Sequence, residues 1–229
     1  MIVIKKQCLI SVSILLFFFG CGGGTESSSS NDHSNPPQTI TSILIDSPVS
    51  GVSYRCGEDS GLTSTNGQFS CKENSTVYFS IGDIQLGNTI ITSNDKYITP
   101  AKLYSLSSNN ITDRRILNFI QLVQSLDSDN NSSNGIDINQ TTRESFIGYN
   151  LDISSEDVCE TDIKDALNTA GRILVSRNKA LEHYINTLTN VIKVTLQQEP
   201  YYPHQWYLDY NATIYSQHNI DENAHIHSG

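Results

Sequence analysis

The chain has 229 residues, of which 17% are charged, and a formal net charge of −10 at pH 7. This length suits one ordinary domain or two small ones. Because an acidic protein repels phosphate backbones and no basic stripe offsets that charge, we expect no binding to nucleic acid.

The first twenty residues have the pattern of an export signal. Lys5 and Lys6 precede an apolar run, residues 9–19, which is shorter than the roughly 20 residues that span a hydrocarbon core. Gly20 then stands before Cys21, as a small residue does in a bacterial lipobox. We therefore predict that residues 1–20 are cleaved and that Cys21 is lipidated; the alternative is an ordinary signal peptide cut elsewhere.

Residues 21–41 are predicted to be a lipidated cysteine followed by a flexible tether rich in Ser, Asn and Gly. Gly22 occupies the position where an Asp usually retains lipoproteins in an inner membrane. The predicted location is thus the outer membrane or cell surface, with a membrane as partner through the lipid. Loss of Lys5 and Lys6 with the signal would change the formal charge from −10 to −12.

The cysteines further along the chain indicate a disulfide. Cys8 leaves with the signal and Cys21 carries lipid, so Cys56, Cys71 and Cys159 remain of the five. In an oxidising compartment we expect Cys56 and Cys71 to form a bond. Cys159 is then left as a buried small hydrophobic residue or as a site of pairing between chains.

Residues 42–104 are predicted to form a small β-sandwich. Val77, Phe79 and Ile81 alternate with polar residues, and Asn66-Gly67 is a strong turn signal. Short strands at this spacing are typical of a sandwich or an open barrel.

Residues 105–199 are predicted to form a small helical domain, because the apolar period changes after Pro100. The first helix has Asn110 or Thr112 as its predicted cap. The last begins after Ser176 and stops at Pro200. Its predicted core positions, and those of the first helix, are Ile116, Phe119, Ile120, Val123, Leu126, Leu181, Tyr184, Ile185, Leu188, Ile192 and Leu196.

Further helix starts in this part follow from capping-box spacing. Thr141 with Glu144 and Ser154 with Asp157 have that spacing, and residues 162–174 are predicted to be helical. Residues 200–229 are aromatic and His-rich without a clear period. The predicted class is α+β, a disulfide-clamped β-sandwich module followed by a helical domain.

Part of the chain resembles a known kind of surface protein. Residues 46–54, D-S-P-V-S-G-V-S-Y, lead to N-G-Q-F at 66–69, and N-G-I follows at 134–136. Residues 42–190 are similar to a β-module and helical stretch near the front of large bacterial surface lipoproteins of the accessory-colonisation, mucin-degrading type. The β-part also resembles, more loosely, the transthyretin-like carboxypeptidase regulatory domain. The resemblance implies a module rather than an activity, which such relatives carry in a separate domain bearing H-E-x-x-H.

The loop that follows the first helix contains candidate calcium ligands. Asp127, Asp129 and Asn131 alternate as the first ligands of a calcium loop do, and Asp137 adds another carboxylate. Position six is Ser132 rather than Gly, and position twelve is not Glu. The alternative is a solvated turn whose side chains bond to backbone amides.

The second metal candidate is the His-rich end of the chain. His225 and His227 would face the same side of a strand, and His218 lies nearby. These three residues predict a zinc site; the alternative is a polar tail. A cluster of aromatic residues around Trp206 suggests either a carbohydrate- or protein-binding surface or the edge of a core.

These patterns predict a non-catalytic, membrane-anchored surface lipoprotein with a structural, adhesive or partner-binding role. The sequence contains no H-E-x-x-H motif and no G-x-S-x-G motif, so we expect no enzymatic activity and no cofactor other than calcium. Surface proteins or carbohydrates are the expected partners. The alternative is a metal-binding lipoprotein, or an accessory to a metal-dependent enzyme, that uses the His-rich end or the loop 127–137.

Overall fold

The computed structural model describes residues 38–194 and 196, which begin with a series of short strands. The strands are β1 Thr39–Leu44, β2 Val49–Ser50, β3 Ser53–Cys56, β4 Asp59–Leu62, β5 Gln68–Lys72, β6 Thr76–Ile81, β7 Ile84–Ile90, β8 Tyr97–Ile98, β9 Ile136–Asp137 and β10 Leu151–Asp152. The helices are α1 Pro100–Leu103, α2 Arg114–Leu126, α3 Gln140–Glu144, α4 Glu160–Thr169 and α5 Arg177–Asn186, and a π-helical turn, Thr187–Ile192, continues α5.

Two larger sheets form most of the β-part, and β2 and β9 form a third sheet of two strands. One has the order β5-β1-β8, and the other has the order β10-β7-β6-β3-β4. Their inner faces carry alternating buried side chains, as in β6, where Val77, Phe79 and Ile81 are all buried. Phe69 from the first sheet meets Phe79 from the second edge to face, with 4.9 Å between ring centroids.

The Cys56–Cys71 disulfide is confirmed and joins the two sheets. Cys56 ends β3 in the larger sheet, and Cys71 lies in β5 of the smaller one. Both side chains are buried. The predicted α+β class, with a disulfide-clamped β-part followed by a smaller helical region, is therefore confirmed.

The later part of the chain contributes two strands to the β-part. β9 pairs in parallel with β2, and β10 pairs in parallel with the edge strand β7. Gly51 permits the first of these contacts: its φ is +77°, and a Cβ there would collide with the carbonyl oxygen of Ile138. The strands and the helices share one continuous hydrophobic core.

Helix α2 is the central helix of that core. The predicted positions Ile116, Phe119, Ile120, Val123 and Leu126 are all buried, but so is every other residue from 116 to 126. The predicted cap is wrong: Asp113 caps the helix by accepting a hydrogen bond from the Arg115 amide. Asn110 instead accepts from the amides of residues 112 and 113, one turn earlier.

The other predicted helix starts are also corrected. Asn139, not Thr141, caps α3 through the Thr142 amide. Helix α4 begins at Glu160, and its capping box uses Cys159 and Asp162 rather than the Ser154 spacing. The Cys159 amide donates to the Asp162 carboxylate across 2.8 Å, and the thiol donates to the same oxygen across 3.1 Å. Cys159 is a free, half-buried cysteine at a helix start rather than a core residue.

The last helix follows the prediction at its start and departs from it later. Ser176 precedes α5, and Leu181, Tyr184 and Leu188 of the predicted stripe are buried. The α-helical part ends at Asn186, and the π-helical turn ends at Lys193 in the left-handed conformation. Among the described residues, no helix is long and apolar enough to cross a membrane.

Candidate functional site

The segment from Asp127 to Asp137 runs from the end of α2 into strand β9. Its two ends are tied together: the Asp137 amide donates to Asp127 Oδ1 across 2.9 Å, and the Ser128 amide donates to the Asp137 carbonyl across 2.9 Å. Arg172 donates to the Asp127 carbonyl and so satisfies an acceptor that the helix end leaves open. The loop is thus a closed turn anchored by β9 on the β-part.

Most carboxylate oxygens of this loop accept hydrogen bonds from nearby groups. Asp129 accepts from the Asn131 amide and from the Asn134 side chain, each across 2.9 Å. The Asp137 carboxylate accepts from the Ser50 and Ser128 hydroxyls at 3.1 and 2.9 Å. These bonds are the ones that a satisfied polar turn makes.

Asp127 differs from the other acidic residues of the loop. It is buried, and its Oδ2 has no hydrogen-bond donor. Burial raises the pKa of Asp127, and the nearby Asp129 charge adds to that rise. Hydrogen bonds from Asn134 and Asn131 lower the pKa of Asp129. The Asp127 and Asp129 carboxylates therefore interact, and Asp127 Oδ2 has no donor. A proton or a cation bound there would reduce the repulsion between the two charges.

The structure brings together only part of the predicted calcium set. Asp127 and Asp129 interact directly, whereas the Asp137 carboxylate is engaged by two serines and Asn131 contributes its backbone amide to Asp129. Among residues 38–194, no three His, Cys, Asp or Glu side chains are arranged to hold a metal ion. A cation here would need backbone or amide oxygens beside the two carboxylates.

Three other predicted sites lie outside the described residues. They are Cys21, predicted to be lipidated, the aromatic cluster around Trp206, and the zinc candidates His218, His225 and His227. All three stay predictions from the sequence.

A polar cluster beside the loop was not predicted. Ser47 donates to the Ser132 carbonyl across 2.7 Å, and its oxygen lies 3.0 Å from His183 Nε2 in α5. Since the single hydroxyl proton of Ser47 points to Ser132, His183 is the donor of the second bond. A general base would need the opposite polarity, with the serine donating to the imidazole. This pair therefore links α5 to the loop and does not activate a nucleophile.

The neighbouring residue, Asp46, is the most deeply buried acid of the described chain. It has no exposed surface, and its Oδ2 accepts a 2.8 Å hydrogen bond from Gln124 of α2. Its backbone carbonyl accepts from Thr187 after α5. The turn between β1 and β2 is thereby bonded to two helices.

One sequence signal could have revealed this cluster. Asn118, Gln121 and Gln124 repeat every three residues within the otherwise apolar helix α2. All three are buried, and each donates its side-chain amide to a carbonyl of the segment that packs on α2. Regularly spaced amides in a buried helix therefore mark contacts to backbone carbonyls of the segments packed on it. The partner Asp46 could not be identified this way, because it lies far away in sequence.

The outer face of the larger sheet is a second candidate surface. Strand register places Leu62, Tyr78 and Ile90 on that face, and they are 48%, 41% and 55% exposed. Arg55 stacks on the Tyr78 ring, with 4.9 Å from its guanidinium carbon to the ring centroid. Exposed apolar side chains that share one face indicate a binding surface more strongly than scattered ones do.

We compared the chain with protein-family models, curated proteins and solved structures, and none of them matched it.

Proposed function

We propose that the protein is a non-catalytic, membrane-anchored surface lipoprotein with a structural, adhesive or partner-binding role. The observation that carries the proposal is the buried disulfide between Cys56 and Cys71. Disulfides persist in exported proteins and are rare where glutathione keeps thiols reduced. The signal-like residues 1–20 and the Gly20-Cys21 pair supply the matching export and lipid-attachment signals.

The outer sheet face supports the partner-binding part of the proposal. Tyr78 combines an apolar ring with a polar hydroxyl, and Arg55 holds the ring from one side. Tyr and Arg are enriched at protein interfaces for these reasons. A surface protein or a carbohydrate is the partner that we propose for this face.

Anchoring is tested by labelling cells with radioactive or clickable palmitate. The wild-type protein should take up label and partition into the membrane fraction, whereas Cys21→Ser should be unlabelled and released. Cys159→Ser is the matched control, because it removes another free thiol and should keep the label. An unlabelled wild-type protein would refute the proposal.

Adhesion is tested by binding of cells to a mucin-coated surface. Cells with the anchored wild-type protein should adhere more than cells with Cys21→Ser. Tyr78→Ala should reduce adherence, and Ile173→Ala is the control, since Ile173 is 89% exposed but lies in the segment between α4 and α5. Equal adherence of all four strains would contradict an adhesive role.

The second candidate function is metal binding, and the open Oδ2 of Asp127 favours calcium in the loop. Calcium would lie between Asp127 and Asp129 and relieve the repulsion between their charges. A calcium titration should raise the melting temperature of wild-type protein and leave that of Asp129→Asn unchanged. Asp59→Asn, a change at an exposed acid, is the control and should respond to calcium as the wild type does.

The zinc alternative predicts that purified wild-type protein contains zinc and that a His225→Ala, His227→Ala double variant does not. Metal binding is excluded if calcium does not change the melting temperature of the wild type and the purified protein contains no zinc.

A further inference from the structure

The buried side chains of Asp46 and Gln124 share one hydrogen bond and leave two oxygens without donors. Gln124 Nε2 donates to Asp46 Oδ2 across 2.8 Å and also to the Ala180 carbonyl across 3.0 Å. Asp46 Oδ1 and Gln124 Oε1 are both buried and unpartnered. A buried acceptor without a donor destabilises the folded state, and an uncompensated buried charge destabilises it further.

A single proton would satisfy both oxygens. A carboxylic acid and a primary amide form a two-point pair, in which the amide N–H donates to one acid oxygen and the acid O–H donates to the amide oxygen. The amide half of this pair is already present between Gln124 and Asp46. A proton on Asp46 Oδ1 supplies the donor that this pair lacks, and Gln124 Oε1 is an unpartnered acceptor for it.

No positive charge stabilises an ionised Asp46 within the part of the chain that the structure describes. The salt bridges there join Asp95, Asp113, Glu156 and Glu160 to their partners, and none involves Asp46. Helix α2 presents the neutral Gln124, and α5 presents Tyr184 and His183. Burial raises the pKa of Tyr184 and lowers the pKa of His183, so both are neutral near pH 7.

We propose that the folded protein holds Asp46 as a neutral acid paired at two points with Gln124, and that loss of this proton loosens the attachment of α2 and α5 to the strands. Burial raises the pKa of Asp46 to about 8, although the Gln124 bond opposes the rise. The usual pKa of 3.8 applies to the unfolded chain. Between these values the folded state binds the extra proton, so stability falls as the pH rises and levels off above about 8.

The consequence is a junction that is strongest in acid. Asp46 connects the β1–β2 turn to α2 through Gln124 and to the π-helical turn through Thr187. Deprotonation would leave a charge in this contact without any donor for Oδ1. A surface protein with this junction would hold its helices firmly on the strands at acidic pH and more loosely in alkaline surroundings.

The proposal is tested on the full-length protein in detergent, by urea unfolding from pH 5 to pH 9. Deprotonation of Asp46 on unfolding should raise the unfolding constant of the wild type by up to about tenfold per pH unit, until the pH reaches the folded pKa of Asp46. Asp46→Asn keeps both hydrogen bonds as an amide pair and should remove this dependence. Asp127→Asn changes another buried acid and should leave the Asp46 contribution in place. Equal slopes in wild type and Asp46→Asn would overturn the proposal.

A second measurement decides the question even if Asp46→Asn does not fold. Carbon-13 NMR of aspartate-labelled wild-type protein should show a carboxyl resonance that is still protonated at pH 6. A protonated resonance that persists in Asp127→Asn supports the proposal; if none persists there, or if every aspartate is ionised at pH 6, the proposal fails.

Discussion

Cys56 and Cys71 place their Cα atoms 6.0 Å apart across the two sheets, and they lie 15 residues apart in sequence. In the chain-entropy model, a cross-link that closes a loop of this length destabilises the unfolded state by about 3 kcal/mol. We expect the Cys56→Ser, Cys71→Ser double variant to melt roughly 10 °C below the wild type. Thermal unfolding followed by circular dichroism measures this difference.

The same melting experiment has two controls. A reductant should lower the melting temperature of the wild type and have no effect on the double variant. Cys159→Ser should melt within a degree or two of the wild type, because serine is itself a favoured helix cap and its hydroxyl can replace the thiol at Asp162. A wild type that is insensitive to reductant, or free thiols at both positions in exported protein, would contradict the bond.

Gly51 and Gly57 have positive φ angles of +77° and +61°, but they differ in their surroundings. A Cβ on Gly51 would collide with the Ile138 carbonyl, whereas nothing lies within 4 Å of a Cβ on Gly57. Both alanine variants should lose about 1 kcal/mol through the left-handed backbone. Gly51→Ala should lose a further 1–3 kcal/mol, roughly, because the added methyl forces β9 away from β2. Urea unfolding of the two variants tests this, and equal losses would count against the close contact.

The sequence predicts the strands and α2 well because their signals are local. The alternation of Val77, Phe79 and Ile81 requires only knowledge of a two-residue period, and the disulfide follows from cysteine spacing and compartment. The caps were predicted less well, because Asp113, Asn139 and Cys159 compete with nearby polar residues that have equally good spacing.

The polar junction could not be predicted because its contacts are long-range. Asp46 and Gln124 are 78 residues apart in sequence, and Ser47 and His183 are 136 apart. Nothing in the local sequence around Asp46 distinguishes a buried acid from an ordinary turn residue. The pairings of β9 and β10 were missed for a related reason: two-residue strands carry no period.

Phe69 lies between the two sheets and Tyr78 on the outer face of the larger sheet, so their replacement should have different effects. Phe69 is 3% exposed and contacts both Phe79 and Tyr54, with ring centroids 4.9 and 5.5 Å apart. Phe69→Ala should cost about 3–5 kcal/mol through the cavity that it leaves. Tyr78→Ala should cost less than about 1 kcal/mol, since it loses only the Arg55 stacking and partial burial. Comparable losses in urea unfolding would show that the outer face is covered rather than open.

Asp113 should make α2 sensitive to acid, opposite in sign to the effect of Asp46. Its Oδ1 accepts from the Arg115 amide, and its Oδ2 pairs with the Arg115 guanidinium at 2.9 Å. The hydrogen bond from the Arg115 side chain lowers the pKa of Asp113 below 3.8. An acid with a lowered folded pKa stabilises the protein above its unfolded pKa, and this contribution is lost as the pH falls through the folded pKa.

Asp113→Asn isolates this effect, because asparagine is an equally good helix cap but carries no charge. At pH 7 the variant should be less stable than the wild type by about 1 kcal/mol, the scale of a partly buried ion pair at a helix start. The difference should shrink as the pH falls through the folded pKa of Asp113, because protonation removes the charge that the variant already lacks. Urea unfolding between pH 2 and pH 7 measures it, with Arg115→Gln as the partner variant that should remove the same contribution. A pH-independent difference between Asp113→Asn and the wild type would mean that the carboxylate acts through its hydrogen bonds alone and that its charge contributes nothing to α2.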